Sequence, residues 1–337
     1  MRSALIFGGA GQLGAAVAER LLSAGWRVSV VSRSGAVPHR ALGGAKLIDG
    51  AGKSKAALIE EVGAVDAVFD PLVYDETDAQ DLLRARQRFG ALVVASSASV
   101  YADPAGRSLI AISQSGMPKL DGPIGEDAAT VEPSAETYAG RKAWLERTLL
   151  ESGAAVSILR PCAVYGTRST HPREWWFIKR ALDGRQAIPV AYGGRSVFHT
   201  SSARGVAELA ALCMETPDRR VLNAADRSAL TVREVAAAVA AATGLSLPLA
   251  PFEGPPVGPA HVGSTPWSVE HRFVLDTGQA AKLGWGGDDY GERVGPVCDW
   301  VLEVARSGDW RTQFSGFAQY GYEPVDYAAE DQALAGR

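Results

Sequence analysis

Residues Ala4-Leu5-Ile6-Phe7-Gly8-Gly9-Ala10-Gly11-Gln12-Leu13-Gly14 decide the fold. An apolar run of four passes directly into a glycine turn, and the turn opens an amphipathic stretch, Gln12–Ser23. Gly8 permits the tight bend, Gly11 lets backbone approach a pyrophosphate, and Gly14 allows close helix–strand packing. The amides and positive dipole end of the helix, at Gln12 and Leu13, then face the phosphates. In a chain with 37 glycines the spacing alone is weak evidence. The strand–turn–helix context is what makes it a dinucleotide signal.

Working outward, short Val/Ile/Leu-rich runs alternate with helical spacing over the first 160 residues. Ala4–Phe7, Arg27–Val31, Lys46–Ile48, Ala67–Phe69, Leu92–Ala95 and Val156–Leu159 read as buried strands. Gln12–Ser23, Lys53–Val62, Glu76–Arg88 and Tyr138–Glu151 read as helices, with Gly25, Gly63, Gly90 and Gly153 expected to end them. Such alternation implies right-handed crossovers and a parallel sheet. The fold class expected is therefore α/β, a Rossmann-type doubly wound sheet with a smaller, discontinuous second domain. Residues 1–160 form the dinucleotide-binding part, to which 198–223 return through the helix Ala203–Glu215 and a strand at Val221–Asn223. Residues 161–197 and 224–310, proline-rich and carrying a helix over Thr231–Thr243, would make the substrate-binding cap. Residues 311–337 are left as a tail without a motif.

Composition narrows the class. At 337 residues the chain suits two domains, and 47% apolar with 21% charged residues is ordinary for a globular protein. Thirty-four basic against 38 acidic residues leave a charge of −4, without the basic excess of a nucleic-acid binder. Cys162, Cys213 and Cys298 lie far apart, with neither disulfide nor metal spacing, which suggests a reduced, cytoplasmic setting and no metal site. The opening residues are too short an apolar run for a signal peptide. Val235–Phe252, mostly alanine and broken by Gly244 and Pro248, falls short of a membrane span.

The end of the second strand should report the dinucleotide. NAD sites place an acid there; this chain reads Val31-Ser32-Arg33, where Arg33 can pair with a 2′-phosphate and Ser32 leaves room for it. That favours NADP, with NAD as the alternative. Farther along, Tyr138-Ala139-Gly140-Arg141-Lys142 sets a phenol and an ammonium four apart on one helix face. A neighbouring ammonium stabilises a phenolate, so the pair suits general acid/base work at a carbinol or carbonyl. Ser96-Ser97-Ala98-Ser99-Val100-Tyr101 begins where the fifth strand ends, and a hydroxyl there can bind the same substrate oxygen.

These motifs, followed by Leu159-Arg160-Pro161-Cys162-Ala163-Val164-Tyr165-Gly166, occur in the order found in the extended short-chain dehydrogenase/reductase family. That family is also called the NAD-dependent epimerase/dehydratase family, and the chain resembles it over about residues 4–245. The resemblance implies Ser97 as catalytic hydroxyl (Ser99 the fallback), Tyr138 as proton donor or acceptor, and Lys142 as its partner and a ribose ligand. It places Asp49 near adenine and Pro161, Cys162 and Val164 along the nicotinamide. Arg195, four before His199, matches an arginine that holds the substrate diphosphate in nucleotide-sugar members. It also implies a homodimer. Trp175 and Trp176, with Phe177, could stack a flat substrate or clasp a helix to the core.

Three departures stand out. Asp70-Pro71-Leu72-Val73 replaces the usual His or Asn and small residues after the fourth strand. Ala98-Ser99 replaces the acidic pair of sugar dehydratases, and Thr200-Ser201-Ser202 replaces the acids after His199. The expected activity is hydride transfer between NADP(H) and a carbonyl or carbinol carbon of a small molecule. The alternatives are a nucleotide-sugar epimerase with tightly held NAD, and a non-catalytic dinucleotide sensor or scaffold. Neither nucleic acid nor membrane is an expected partner. His171 and His199 read as structural, and Arg84, Arg86 and Arg88 as a solvated face.

Overall fold

The structure, a computed structural model, describes residues 1–32, 42–109, 116–320 and 323–336. Its first compact unit comprises Met1–Cys162, Ala203–Ala225 and Leu275–Gly287. Here seven strands lie in one sheet: β1 (Ser3–Ile6), β2 (Arg27–Ser32), β3 (Lys46–Asp49), β4 (Val65–Asp70), β5 (Phe89–Ala95), β6 (Val156–Pro161) and β10 (Arg220–Ala224). Their spatial order is β3-β2-β1-β4-β5-β6-β10, and every pairing is parallel. The strands are apolar on both faces because helices cover both.

One face is covered by α1 (Gln12–Ser23) and α6 (Ala203–Glu215), and the other by α2 (Lys55–Val62), α3 (Glu76–Arg84) and α4 (Tyr138–Glu151). In α1 the buried positions Gly14, Ala15, Val17, Ala18 and Leu21 make one stripe at helical spacing. Thr137 caps α4, its hydroxyl accepting from the Gly140 amide. Gly25, Gly63 and Gly153 have positive φ, as a helix-ending glycine should. Gly90 does not: it is the second residue of β5, and an added Cβ would come within 3.0 Å of Asp66 O. The preceding helix stops at Arg84 and gives way to a 3-10 turn over Arg86–Arg88, so the glycine serves a close strand approach rather than a helix end.

The second unit comprises Ala163–Ser202, Asp226–Val274 and Asp288–Arg337. It holds two small parallel ladders, β7 (Ala163–Tyr165) with β9 (Thr200–Ser202), and β8 (Ile188–Val190) with β11 (Leu249–Pro251). Its core gathers Trp175, Phe177, Trp267, Tyr290 and Phe314 with α5 (Trp175–Leu182) and α7 (Val232–Thr243).

Two segments are placed by contacts that lie far off in sequence. Leu275–Gly287 belongs with the first unit, bridged at Ile124–Leu275 and held by the Trp285 indole N–H on Gly205 O at 2.9 Å. The helix Tyr327–Ala335, in the stretch read as a tail, is fastened to α5. Glu330 and Arg180, both buried, pair at 2.5 Å, and the Arg180 guanidinium lies 3.6 Å over the Trp176 ring. Among the described residues no helix is long and apolar enough to cross a membrane.

Candidate active site

The glycine turn lies at the end of β1. Gly8 has φ +62, and the Gly11 amide donates to Gly8 O at 2.9 Å, closing the bend. A Cβ on Gly14 would meet Gly8 O at 2.3 Å, so only glycine lets α1 start so close beneath the turn. Gly11 occupies the N-cap of α1 and offers no side chain to its first amides. An uncapped helix start over a glycine cradle matches the needs of a pyrophosphate, and Gln12 and Leu13 are the residues that open it.

β2 ends in buried Ser32, and Arg33 lies outside the described residues. Ser32 is in register with Asp49, the exposed last residue of β3, whose carboxylate accepts from Ala51 N at 3.0 Å. At the other side of the sheet Pro161 closes β6, and Cys162 is buried beside it. The three cysteines are buried and form no disulfide with one another. Val164 is half-buried in β7 of the second unit.

Ser97, Tyr138 and Lys142 come together within the first unit. Ser97 follows β5 in extended backbone, half-buried, with its hydroxyl accepting from Ser99 N at 3.1 Å. Burial pushes the Tyr138 phenol above its ordinary value, and a hydrogen bond with Ser97 pulls the other way. The Lys142 ammonium lies 5.8 Å from the Tyr138 ring centroid, and the phenol is raised, not lowered as the Tyr/Lys spacing led one to expect, because burial disfavours its charged form. Lys142 is itself 1% exposed, with Nζ donating to Val73 O at 2.5 Å and Ala95 O at 2.9 Å. Burial depresses it to about 8, against the opposing pull of Asp70. Two carbonyls use two of its three N–H donors and leave one. Among the described residues the buried hydroxyls of Ser96 and Ser99 have no hydrogen-bond partner.

A polar scaffold supports this corner. Arg160 grips Glu146 of α4 at 3.0 and 2.5 Å and lies 4.8 Å over the Tyr101 ring. The Tyr101 hydroxyl donates to Asn223 Oδ1 at 2.7 Å, while the Asn223 amide donates to Ile124 O and Asp276 O. Every arm of Asn223 is used, as burial requires.

The sequence profile described as the NAD dependent epimerase/dehydratase family matches residues 4–225. The chain belongs to that family. Structures of similar fold include MoeE5 in complex with UDP-glucose and NAD, at 22% identity and TM-score 0.65, covering 90% of this chain and all of that one. The UDP-glucose-4-epimerase from Stenotrophomonas maltophila, solved with NAD and formylated UDP-arabinopyranose, aligns at 20% identity and TM-score 0.67 over 91% of this chain and 100% of its own. The dTDP-glucose 4,6-dehydratase from Bacillus anthracis str. Ames, in complex with NAD, aligns at 14% and 0.66 over 93% of this chain and 100% of its own. Among curated proteins no significant match is found.

Within this family member, several side chains do work the sequence did not disclose. Trp175 and Trp176 are 2% and 3% exposed, packed in the second unit's core against Trp310 and Phe314 and against Phe177 and Arg180. Of the two roles open to them, the clasp is the one the packing gives; no ring face is left on which a substrate could stack. Arg195 is exposed and forks onto Glu253 at 2.9 and 2.5 Å. Burial drives His199 down to about 4 and His171 to about 3, so both rings are neutral. Lys55 was missed. It forms a 2.8 Å ion pair with fully buried Asp70, and a lysine in the first turn of a helix carries no sequence signal of such a partner. Among the described residues no cluster of three or more His, Cys, Asp or Glu could hold a metal.

Proposed function

We propose that this family member is a nicotinamide-dinucleotide oxidoreductase that interconverts a carbonyl and a carbinol on a small molecule. The observation that carries the reading is Tyr138 hydrogen-bonded to Ser97 on the same unit as the glycine cradle, with Lys142 one helical turn away. The cofactor supplies or accepts hydride when bound. Gly8, Gly11 and Gly14 admit its pyrophosphate to the start of α1, with Gln12 and Leu13 alongside. The remaining Lys142 N–H is the donor for a ribose hydroxyl, and Pro161, Cys162 and Val164 are assigned to the nicotinamide side. Ser97 orients the substrate oxygen, and Tyr138 gives it a proton or takes one. A phenol raised by burial is a weaker acid that stays protonated at neutral pH, so Tyr138 rests as a proton donor for a substrate oxygen that gains negative charge.

NADP(H) is proposed over NAD(H), because β2 ends in Ser32 followed by Arg33 and carries no acid for ribose hydroxyls. Asp49 is assigned to the adenine. Three buried cysteines spaced far apart in the chain and joined in no disulfide support a reducing, cytoplasmic setting. Release and identification of any nucleotide carried by the purified protein, then titration with NADPH and NADH, tests this. Preferential, exchangeable NADPH binding supports it; retained NAD that does not exchange overturns the reductase. In a carbonyl screen, Tyr138→Phe should lose about three orders of magnitude in kcat with dinucleotide affinity kept. Near-native turnover in that variant removes Tyr138 from the chemistry.

A nucleotide-sugar epimerase is the second reading, favoured by the titles under which similar structures were solved. The surface pairing of Arg195 with Glu253 weighs against it, since the guanidinium is already committed to a carboxylate.

A further inference from the structure

The segment Asp70-Pro71-Leu72-Val73 is pinned on both sides. Asp70 Oδ1 accepts from Leu72 N at 2.7 Å, while its Oδ2 lies 2.8 Å from Lys55 Nζ. The same ammonium donates to Leu72 O at 2.8 Å and pairs with Asp78 at 3.2 Å. Both backbone polar groups of Leu72 are thus held by one ion pair. The Leu72 side chain lies against Gly8, where an added Cβ would come within 2.9 Å of Leu72 Cγ. The next residue, Val73, presents the carbonyl that holds Lys142.

We propose that Lys55 and Asp70 act together as positioning residues, fixing Pro71–Val73 so that one short segment seats the glycine turn and presents the Lys142 ammonium. The inference rests on the dinucleotide reading of the site. A buried ion pair is a costly way to hold a loop, and apolar packing would serve as well if holding were all. What the charges add is a field at Lys142. The charged groups facing it are Asp70 at the end of β4, Lys55 on α2, Asp78 on α3 and Glu146 on its own helix, with the Tyr74 and Tyr138 rings at 5.1 and 5.8 Å. Asp70 holds the ammonium charged and Lys55 opposes it. Removing either member therefore displaces Lys142 titration in opposite senses.

The test is NADPH affinity of the full-length protein from about pH 6 to about pH 10, read by nucleotide fluorescence. In the wild type, affinity falls on the alkaline side as Lys142 loses its proton. Asp70→Asn should move that fall to lower pH by about one unit, and Lys55→Met should move it upward by a similar step. The charge-neutral pair Asp70→Asn with Lys55→Met should return it near the wild-type position. A general loss of packing weakens binding at every pH and moves nothing in opposite directions. A fall that stays in place in both single variants, or moves the same way in both, overturns the proposal while leaving dinucleotide binding intact. If Asp70→Asn does not fold, Lys55→Met decides alone: upward displacement supports the pair, none or downward overturns it. Absence of NADPH and NADH binding by the wild type overturns the site reading and this inference together.

Discussion

The ammonium of Lys142 sits 2.5 Å from the carbonyl oxygen of Val73, a residue 69 positions earlier in the chain, and 2.9 Å from that of Ala95. Two carbonyls, after β4 and at the end of β5, thereby fix the position of a side chain on α4. Lys142→Met leaves both acceptors without this donor but also removes a buried charge, and these effects oppose each other. Unfolding stability should change by less than about 2 kcal/mol, measured by denaturant titration. Dinucleotide affinity should fall at least about tenfold by fluorescence titration, the loss of one charge-assisted hydrogen bond. Unchanged affinity would remove Lys142 from cofactor binding.

Gly14→Ala tests the cradle. The new methyl would lie 2.3 Å from Gly8 O and 2.6 Å from Gly8 C, both backbone atoms that cannot step aside. The expected result is a protein destabilised by about 1–3 kcal/mol that no longer binds NADPH or NADH. Retained affinity would show that the turn serves packing only.

Asp226 gives a pH prediction in the second unit. Burial raises its carboxyl to about 6 from 3.8, despite hydrogen bonds from Thr200 and Ser202. Between these values the folded protein binds more protons than the unfolded chain, so this residue makes stability fall as pH rises through the window. The cost at neutral pH is about 3 kcal/mol. His199, depressed to about 4, acts in the opposite sense, raising stability as pH climbs from about 4 towards its ordinary 6.5. The difference between wild type and variant isolates the acid. Asp226→Asn should gain on the wild type by about 2–2.5 kcal/mol as pH rises from 4 to 7, followed by thermal denaturation. A constant difference across that range would count against the buried carboxylate.

Arg195→Ala separates the two functional readings. Its partner Glu253 is exposed as well, so losing the pair should cost under about 1 kcal/mol. Under the reductase reading turnover is unchanged within about twofold. A loss of tenfold or more in kcat/KM with a nucleotide-sugar substrate, with stability kept, would favour the epimerase.

The local features of this chain were legible residue by residue. Gln12–Ser23, Tyr138–Glu151 and Ala203–Glu215 are helices with the bounds their spacing implied, and the glycine turn falls at the end of β1. Hydrophobic period, capping hydroxyls and turn glycines act over a few residues, so the order of amino acids carries them directly. The seven strands then follow in parallel, since helices between strands leave little other topology. Partnerships are another matter. That Lys55 finds Asp70, that Asn223 collects Tyr101 and two distant carbonyls, and that Trp175 and Trp176 are sealed in a core depend on where the fold brings separate segments. A side chain's burial and its countercharge are properties of its neighbours in space. Tyr138 shows the consequence: the Tyr/Lys spacing was visible in sequence, but the burial that raises the phenol and its hydrogen bond with Ser97 belong to the packed structure.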